Sequence, residues 1–232
     1  MQDLFAAIRE ALVLLFSANP ELWEIIGISF SVSLQAIIYI TPVSLLFAFL
    51  LAYGRFKGQR FLISTMHTLL AVPAVVVGLT VYIFLSRNGP LGDLRLLFTQ
   101  TAMIIGQMIL AFPIVVAMSH SVLRISDRVI WETAKTLGAS HPKAMLTVMH
   151  EVRFGLFAAI VAAFSRIIAE VGSSMMVGGN ILHHTRNIPT AIAMETSKGE
   201  FAQGIALGLV LLVLALGLNL LLGSARYRLE TA

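Results

Sequence analysis

Four long stretches of this chain contain no Asp, Glu, Lys or Arg: Ile25 to Gly54, Phe61 to Ser86, Leu96 to Leu123 and Phe201 to Ala225. A fifth, Phe154 to Thr185, is interrupted only by Arg166 and Glu170. Each exceeds the roughly 20 residues that a helix needs to cross a hydrocarbon core of about 30 Å. Backbone groups in lipid must be satisfied inside the segment, and the strict alternation of a β-barrel is absent, so the runs predict helices. The fold class is therefore all-α: a polytopic membrane protein with five transmembrane helices. The mean hydropathy of +0.89 agrees. With no linker, low-complexity tract or internal repeat, residues 1–232 read as one transmembrane domain. The absence of cysteine excludes disulfides and thiolate metal sites.

Basic residues in short loops are held on the cytoplasmic side. The first, third and terminal connections carry Arg55, Lys57 and Arg60, then Arg124, Arg128, Lys135, Lys143 and Arg153, then Arg226 and Arg228. The other side has only Arg9, Arg87, Arg95, Arg186 and Lys198. This bias predicts an N-terminus outside and a C-terminus in the cytoplasm. It also accounts for the pI near 9.8 without nucleic acid, which would call for basic residues clustered on a soluble face. Residues 1–18 place Leu4, Ile8, Leu12 and Leu15 on one helical face, which suits an interfacial amphipathic helix lying on membrane lipid. Asn19-Pro20 ends it.

Between the third and fourth runs lies a charged, glycine-broken segment, ETAKTLGASHPKAMLTVMHE, from Glu132 to Glu151. Trp131 to Leu137 has helix-forming composition, Gly138 can take the positive φ that ends a helix, and Ser140 with Pro142 offers the start of another. The reading is helix, tight turn, helix over about residues 129–146. Such a projecting pair can seat in a partner's groove, or it can be an ordinary solvated loop.

This segment resembles the E-A-A-x3-G-x9-I-x-L-P motif of permeases from binding-protein-dependent ABC importers. Glu132, Thr133, Ala134, Gly138 and Val148 stand at its spacing; Thr133 and Val148 replace Ala and Ile, and His150-Glu151 replaces Leu-Pro. The resemblance implies a type I ABC importer permease of a bacterial or archaeal plasma membrane. It implies that Glu132, Thr133, Ala134, Gly138, Ala139 and Ser140 couple to an ABC ATPase subunit, that ATP and Mg bind on that partner, and that an extracytoplasmic substrate-binding protein delivers the cargo. In the fourth span, AFSRIIAEVGSSMMVGGN is similar to the R-x3-E-x-G pattern of molybdate, sulfate and tungstate permeases, with EVGSSMMVGGNI nearest the tungstate branch. Oxyanion import, with tungstate as cargo, is the implied function.

Arg166 and Glu170 are the ionisable pair inside a span, one helical turn apart. They either tie the helix internally or place Arg166 beside an anion pathway, with Glu170 preventing a trap. Ser173 and Ser174 can donate to an oxyanion, and Met175 and Met176 can form a repacking apolar gate, although packing alone also explains small residues here. Pro42, Pro73 and Pro113 are expected to kink their spans. Gln35 and Gln107 are read as interhelical hydrogen-bonding groups, and His67 as a satisfied interior histidine. His183 and His184 are adjacent and lack a companion cluster, so they belong to a solvated outer loop, His183 to Glu200, where a binding protein could land.

The chain contains no G-x-x-x-x-G-K-[ST] phosphate loop, so it is read as a transport subunit and not an enzyme, with no cofactor of its own. Five spans are few for a sealed pathway, which argues for a homodimer with the route on its two-fold axis. A secondary transporter or channel would use Arg166 and Glu170 as its coupling site but leaves the Glu132 to Ser140 segment without a role.

Overall fold

A computed structural model of the chain describes residue 13, residues 20–125 and residues 128–230, with the side chains at 218, 219 and 221–230 excepted. The interfacial helix expected over residues 1–18 lies outside the described residues apart from Val13. Among the described residues the structure is helical, with no strand. The helices are α1 (Pro20–Tyr53), α2 (Gln59–Leu69), α3 (Ala74–Leu85), α4 (Gln100–Ile125), α5 (Arg128–Thr136), α6 (His141–Glu151), α7 (Arg153–Ile168), α8 (Gly172–Gly178), α9 (Ile188–Lys198) and α10 (Phe201–Glu230).

The most extensive helix pair is α1 with α4. Both are long and apolar enough to cross a membrane unbroken. Their shared core sets the small residues Ala36, Ala102 and Ala111, all fully buried, among Val32, Met103 and Val115. Small side chains let the two backbones approach, which replaces the hydrophobic driving force that lipid cannot supply. Pro42 and Pro113 sit inside these helices without ending them.

Two of the expected continuous spans are broken. Phe61 to Ser86 divides into α2 and α3, which meet at 101°. The chain unwinds through tight turns, Leu70 N–H to His67 O at 3.3 Å, Ala71 to Thr68 at 3.0 Å and Val72 to Leu69 at 3.2 Å, and restarts at Pro73. Proline has no N–H and disfavours helical geometry in the residue before it, so Pro73 starts a helix here and does not merely kink one. Phe154 to Thr185 divides into α7 and α8, bent by 60°. Among the described residues, the spans that satisfy length and hydropathy are thus two unbroken helices, or up to four if each bent pair crosses once. In α10 the continuously described side chains, Phe201–Gly217, form an apolar stretch, and a fifth crossing is not established among the described residues.

The broken elements pack on each other. Short α8 lies against both α3 and α4. A Cβ at Gly78 of α3 would stand 2.7 Å from the Ser173 Cα of α8, and one at Gly106 of α4 would meet Ser173 Cβ at 3.7 Å. Glycine at 78 is therefore a requirement of close backbone approach.

The expected outer loop, His183 to Glu200, contains a helix, α9, and much of it is buried. Asn187 caps α9: its side chain accepts the Thr190 N–H at 3.0 Å, and the Thr190 hydroxyl accepts the Asn187 N–H at 3.0 Å. The Ile188 N–H donates to the Ser29 hydroxyl of α1 at 2.8 Å, and that hydroxyl donates to Ile25 O at 2.9 Å. His183 and Arg186 reach Glu24 and Glu21 at the start of α1, at 2.6 Å and 3.7 Å.

Gly78→Val is expected to cost about 1–3 kcal/mol through overpacking against Ser173. Gly208→Ala, where nothing lies within 4 Å, is expected to be neutral or slightly stabilising. Thermal unfolding of the two variants in one detergent checks the contrast; equal behaviour would contradict the close α3–α8 contact.

Candidate functional site

The segment between α4 and α7 folds as helix, turn, helix. Helix α5 carries Glu132, Thr133 and Ala134, and Gly138 follows it with φ +84°. Ala139 N–H returns to Ala134 O at 2.9 Å and Gly138 N–H to Lys135 O at 3.0 Å, the paired bonds of a Schellman end that requires a left-handed residue at Gly138. Lys135 Nζ donates to Ala139 O at 3.0 Å and closes the turn from the side. Ser140 occupies the N-cap position of α6 with extended geometry. Its side chain makes no capping bond; its carbonyl accepts the Ala144 N–H at 2.9 Å.

The unit is rigidly attached. Trp131 lies 5.5 Å, ring centre to ring centre, from both Phe49 and Tyr53 at the end of α1, and meets His141 edge-on at 5.9 Å. From α6, Val148 is fully buried in the same cluster as Phe49, Leu123 and Leu156. At the tip, Leu137 is 83% exposed beside Gly138. Trp131 and Leu137 are functional candidates that the motif comparison passed over. An aromatic residue directly before the Glu132 that opens the motif, and a leucine one position before the terminating glycine, were the available signals.

At the break between α7 and α8, Arg166 Nη1 donates to Glu170 Oε2 at 2.7 Å, and the Gly172 N–H donates to Glu170 Oε1 at 2.8 Å. One carboxylate thus joins the last turn of α7 to the first of α8. The Glu170 side chain is 7% exposed and that of Arg166 57%, so the anion is buried while the guanidinium keeps donors open.

The four residues that follow do not converge. Ser173 is buried beside Gly78 and Gly106, and its hydroxyl has no partner among the described residues. Ser174 is buried and its hydroxyl accepts from Asn187 Nδ2 at 3.4 Å. Met175 and Met176 are exposed, and Met176 Cβ borders Gly78 next to Ser173. Gln35 bonds within its own helix, to the Ser31 hydroxyl at 2.9 Å. Gln107 is fully buried with both amide atoms unpartnered among the described residues. No group of three or more metal-ligating side chains occurs among the described residues, His183 and His184 included.

No protein-family model matches the chain. The chain is 40% identical over 219 residues to the tungstate uptake system permease protein TupB of Peptoclostridium acidaminophilum, covering 94% of this chain and 96% of that protein. It is 41% identical over 216 residues to TupB of Campylobacter jejuni, covering 93% and 90%. In fold it resembles a bacterial ABC transporter that imports the acidic polysaccharide alginate, with TM-score 0.76 at 17% identity, covering 94% of this chain and 83% of the other. The length and level of the sequence matches mean that this chain belongs to the ABC importer permease family, in the branch of the tungstate uptake permeases.

Proposed function

We propose that this chain is the membrane permease of a tungstate importer, working by alternating access as a homodimer. In this reading an ABC ATPase subunit with ATP and Mg docks on Glu132 to Ser140, a binding protein delivers the anion at the face bearing α9, and α10 supplies the fifth crossing. The N-terminus is outside and the C-terminus cytoplasmic. The observation that carries the docking role is the turn at Gly138: two short helices locked by a Schellman end present an apolar tip, Leu137, on a unit anchored by Trp131. An exposed leucine on a rigid projection suits a helix-in-groove contact. The identity to tungstate permeases supports the cargo.

At the membrane break, Arg166 offers guanidinium donors to an oxyanion while Glu170 holds α8 in place. Met175 and Met176, exposed and conformationally adaptable, are the gate candidates in this scheme. Ser173 and Ser174 position α8 and do not contact the anion.

Reconstitution with its ATPase and binding protein tests the whole: ATP-driven uptake should favour tungstate over molybdate and sulfate. Gly138→Val should insert normally yet lower uptake at least tenfold, because a β-branched residue resists positive φ. Uptake at the unsubstituted rate would remove the docking assignment.

Orientation is checked separately by labelling from outside in sealed cells. Because Asn187 is buried, the reporter is a cysteine at exposed Ser197. It should label, whereas cysteines at Lys57 and Ala139 should not; the opposite pattern would reverse the topology.

Glu170→Gln should lower stability by about 1–3 kcal/mol, since it weakens two charge-assisted hydrogen bonds. Arg166→Met with Glu170→Met should recover only part of this, because the Gly172 N–H stays uncapped. Thermal unfolding reads the stability and uptake reads the role: a double variant that folds but does not transport supports Arg166 in the pathway, and full transport excludes it.

A further inference from the structure

The face of α7 that begins at Arg153 changes character along its length. Leu156, Phe157 and Ile160 follow three, four and seven residues on, so a charged end and an apolar wall share one helical stripe. At 1.5 Å per residue the wall descends about 10 Å from Arg153. It descends into the α7–α8 pair, which has the length and hydropathy of a span. Leu45 of α1 packs against the cluster that holds Leu156. With His150 and Glu151 of α6, these residues line a recess of about 760 Å³.

The polar end of the recess carries both charges. Arg153 Nη1 donates to His150 O at 2.9 Å, and the guanidinium carbon lies 4.6 Å from the Phe154 ring centre. These contacts hold the cation at the start of α7, and the hydrogen bond uses one of its five N–H groups. Glu151 lines the same recess, and both charged residues are exposed. A second recess, of about 340 Å³ at the α2–α3 break, is lined by apolar residues alone; His67, expected in the interior, is exposed on α2 and is not among them. Only the first of these two recesses has groups that can select a headgroup.

A guanidinium and a carboxylate above an apolar wall are complementary to a zwitterionic amphiphile. Its phosphate accepts from the arginine, and its cation must donate to the carboxylate. A primary ammonium does so, the quaternary ammonium of choline has no N–H to give, and glycerol brings no cation. We infer that this recess binds phosphatidylethanolamine, with the phosphate on Arg153, the ammonium on Glu151 and an acyl chain along Leu156, Phe157 and Ile160. The site stands whatever the transporter carries and does not depend on docking at Gly138.

The full chain is placed in nanodiscs of phosphatidylcholine, phosphatidylethanolamine and phosphatidylglycerol in equal parts, and the lipids it retains are counted by native mass spectrometry. Phosphatidylethanolamine should be enriched about fivefold over each of the others, the scale of one partly exposed charge-assisted hydrogen bond. Glu151→Gln should bring it down to the level of phosphatidylcholine, and Arg153→Gln should lower all three. Both substitutions fall on exposed residues; Ile160→Trp, which fills the recess, gives an independent reading and should also lower all three. Equal retention of the three lipids by the parent chain, or undiminished enrichment in Glu151→Gln, would overturn the site. In the chain assembled with its ATPase, phosphatidylethanolamine with a photoreactive acyl chain should crosslink within Leu156 to Ile160. Crosslinks only elsewhere would mean that protein, a second copy or the ATPase, covers the recess, and would overturn it as well.

Discussion

Backbone groups inside a membrane cannot fall back on water, so every interruption of a helix there has to be repaired by the protein itself. This constraint organises the molecule, because two of its apolar segments are interrupted. The repairs are local and specific. At the α7–α8 break Glu170 takes the freed Gly172 N–H. Where α8 ends, the Thr185 hydroxyl donates to Gly178 O at 2.6 Å and the Phe98 N–H to Val177 O at 2.8 Å. At the α2–α3 break the chain turns tightly on itself before Pro73. With their ends satisfied, α3 and α8 can be short, and Gly78 lets them lie against each other at backbone distance.

The projecting α5–α6 unit depends on a second continuity, one of packing. Trp131 rests on the aromatic rings that end α1, while Val148 joins a cluster that includes Leu123 of α4 and Leu156 of α7. A displacement at Leu137 therefore meets three spanning elements at once. Close-packed interiors have few voids to absorb a shift, so packing ties the unit to α1, α4 and α7.

The apolar runs, the helical class and the turn at Gly138 were legible in the sequence because each has a direct local cause: hydropathy, composition and a residue able to take positive φ. The breaks were not. Averaged hydropathy is the same for a straight helix and a bent one, and Pro42, Pro73 and Pro113 look alike in the sequence although, of the three, only Pro73 starts a new helix. Helix α9 was hidden by its mixed polarity, yet Asn187, with Pro189 in the first turn and Thr190 three residues on, carries a readable capping signature. In the fourth span the i, i+4 spacing of Arg166 and Glu170 gave their pairing correctly. The inward turn of Ser173 and Ser174 depends on α3 and α9, which come from distant parts of the chain.

The uneven burial of Arg166 and Glu170 gives the break a division of labour. Glu170 uses one oxygen for Arg166 and the other for the Gly172 N–H, so the two bonds can be lost separately. An anion that competes for the exposed guanidinium displaces only the first, and the start of α8 stays capped. The cap on α8 thus does not depend on the partner that the exposed guanidinium takes. Because the Glu170 carboxylate is buried, losing Arg166 leaves it, among the described residues, with the Gly172 N–H alone, so any competitor for the guanidinium works against a charge-burial cost.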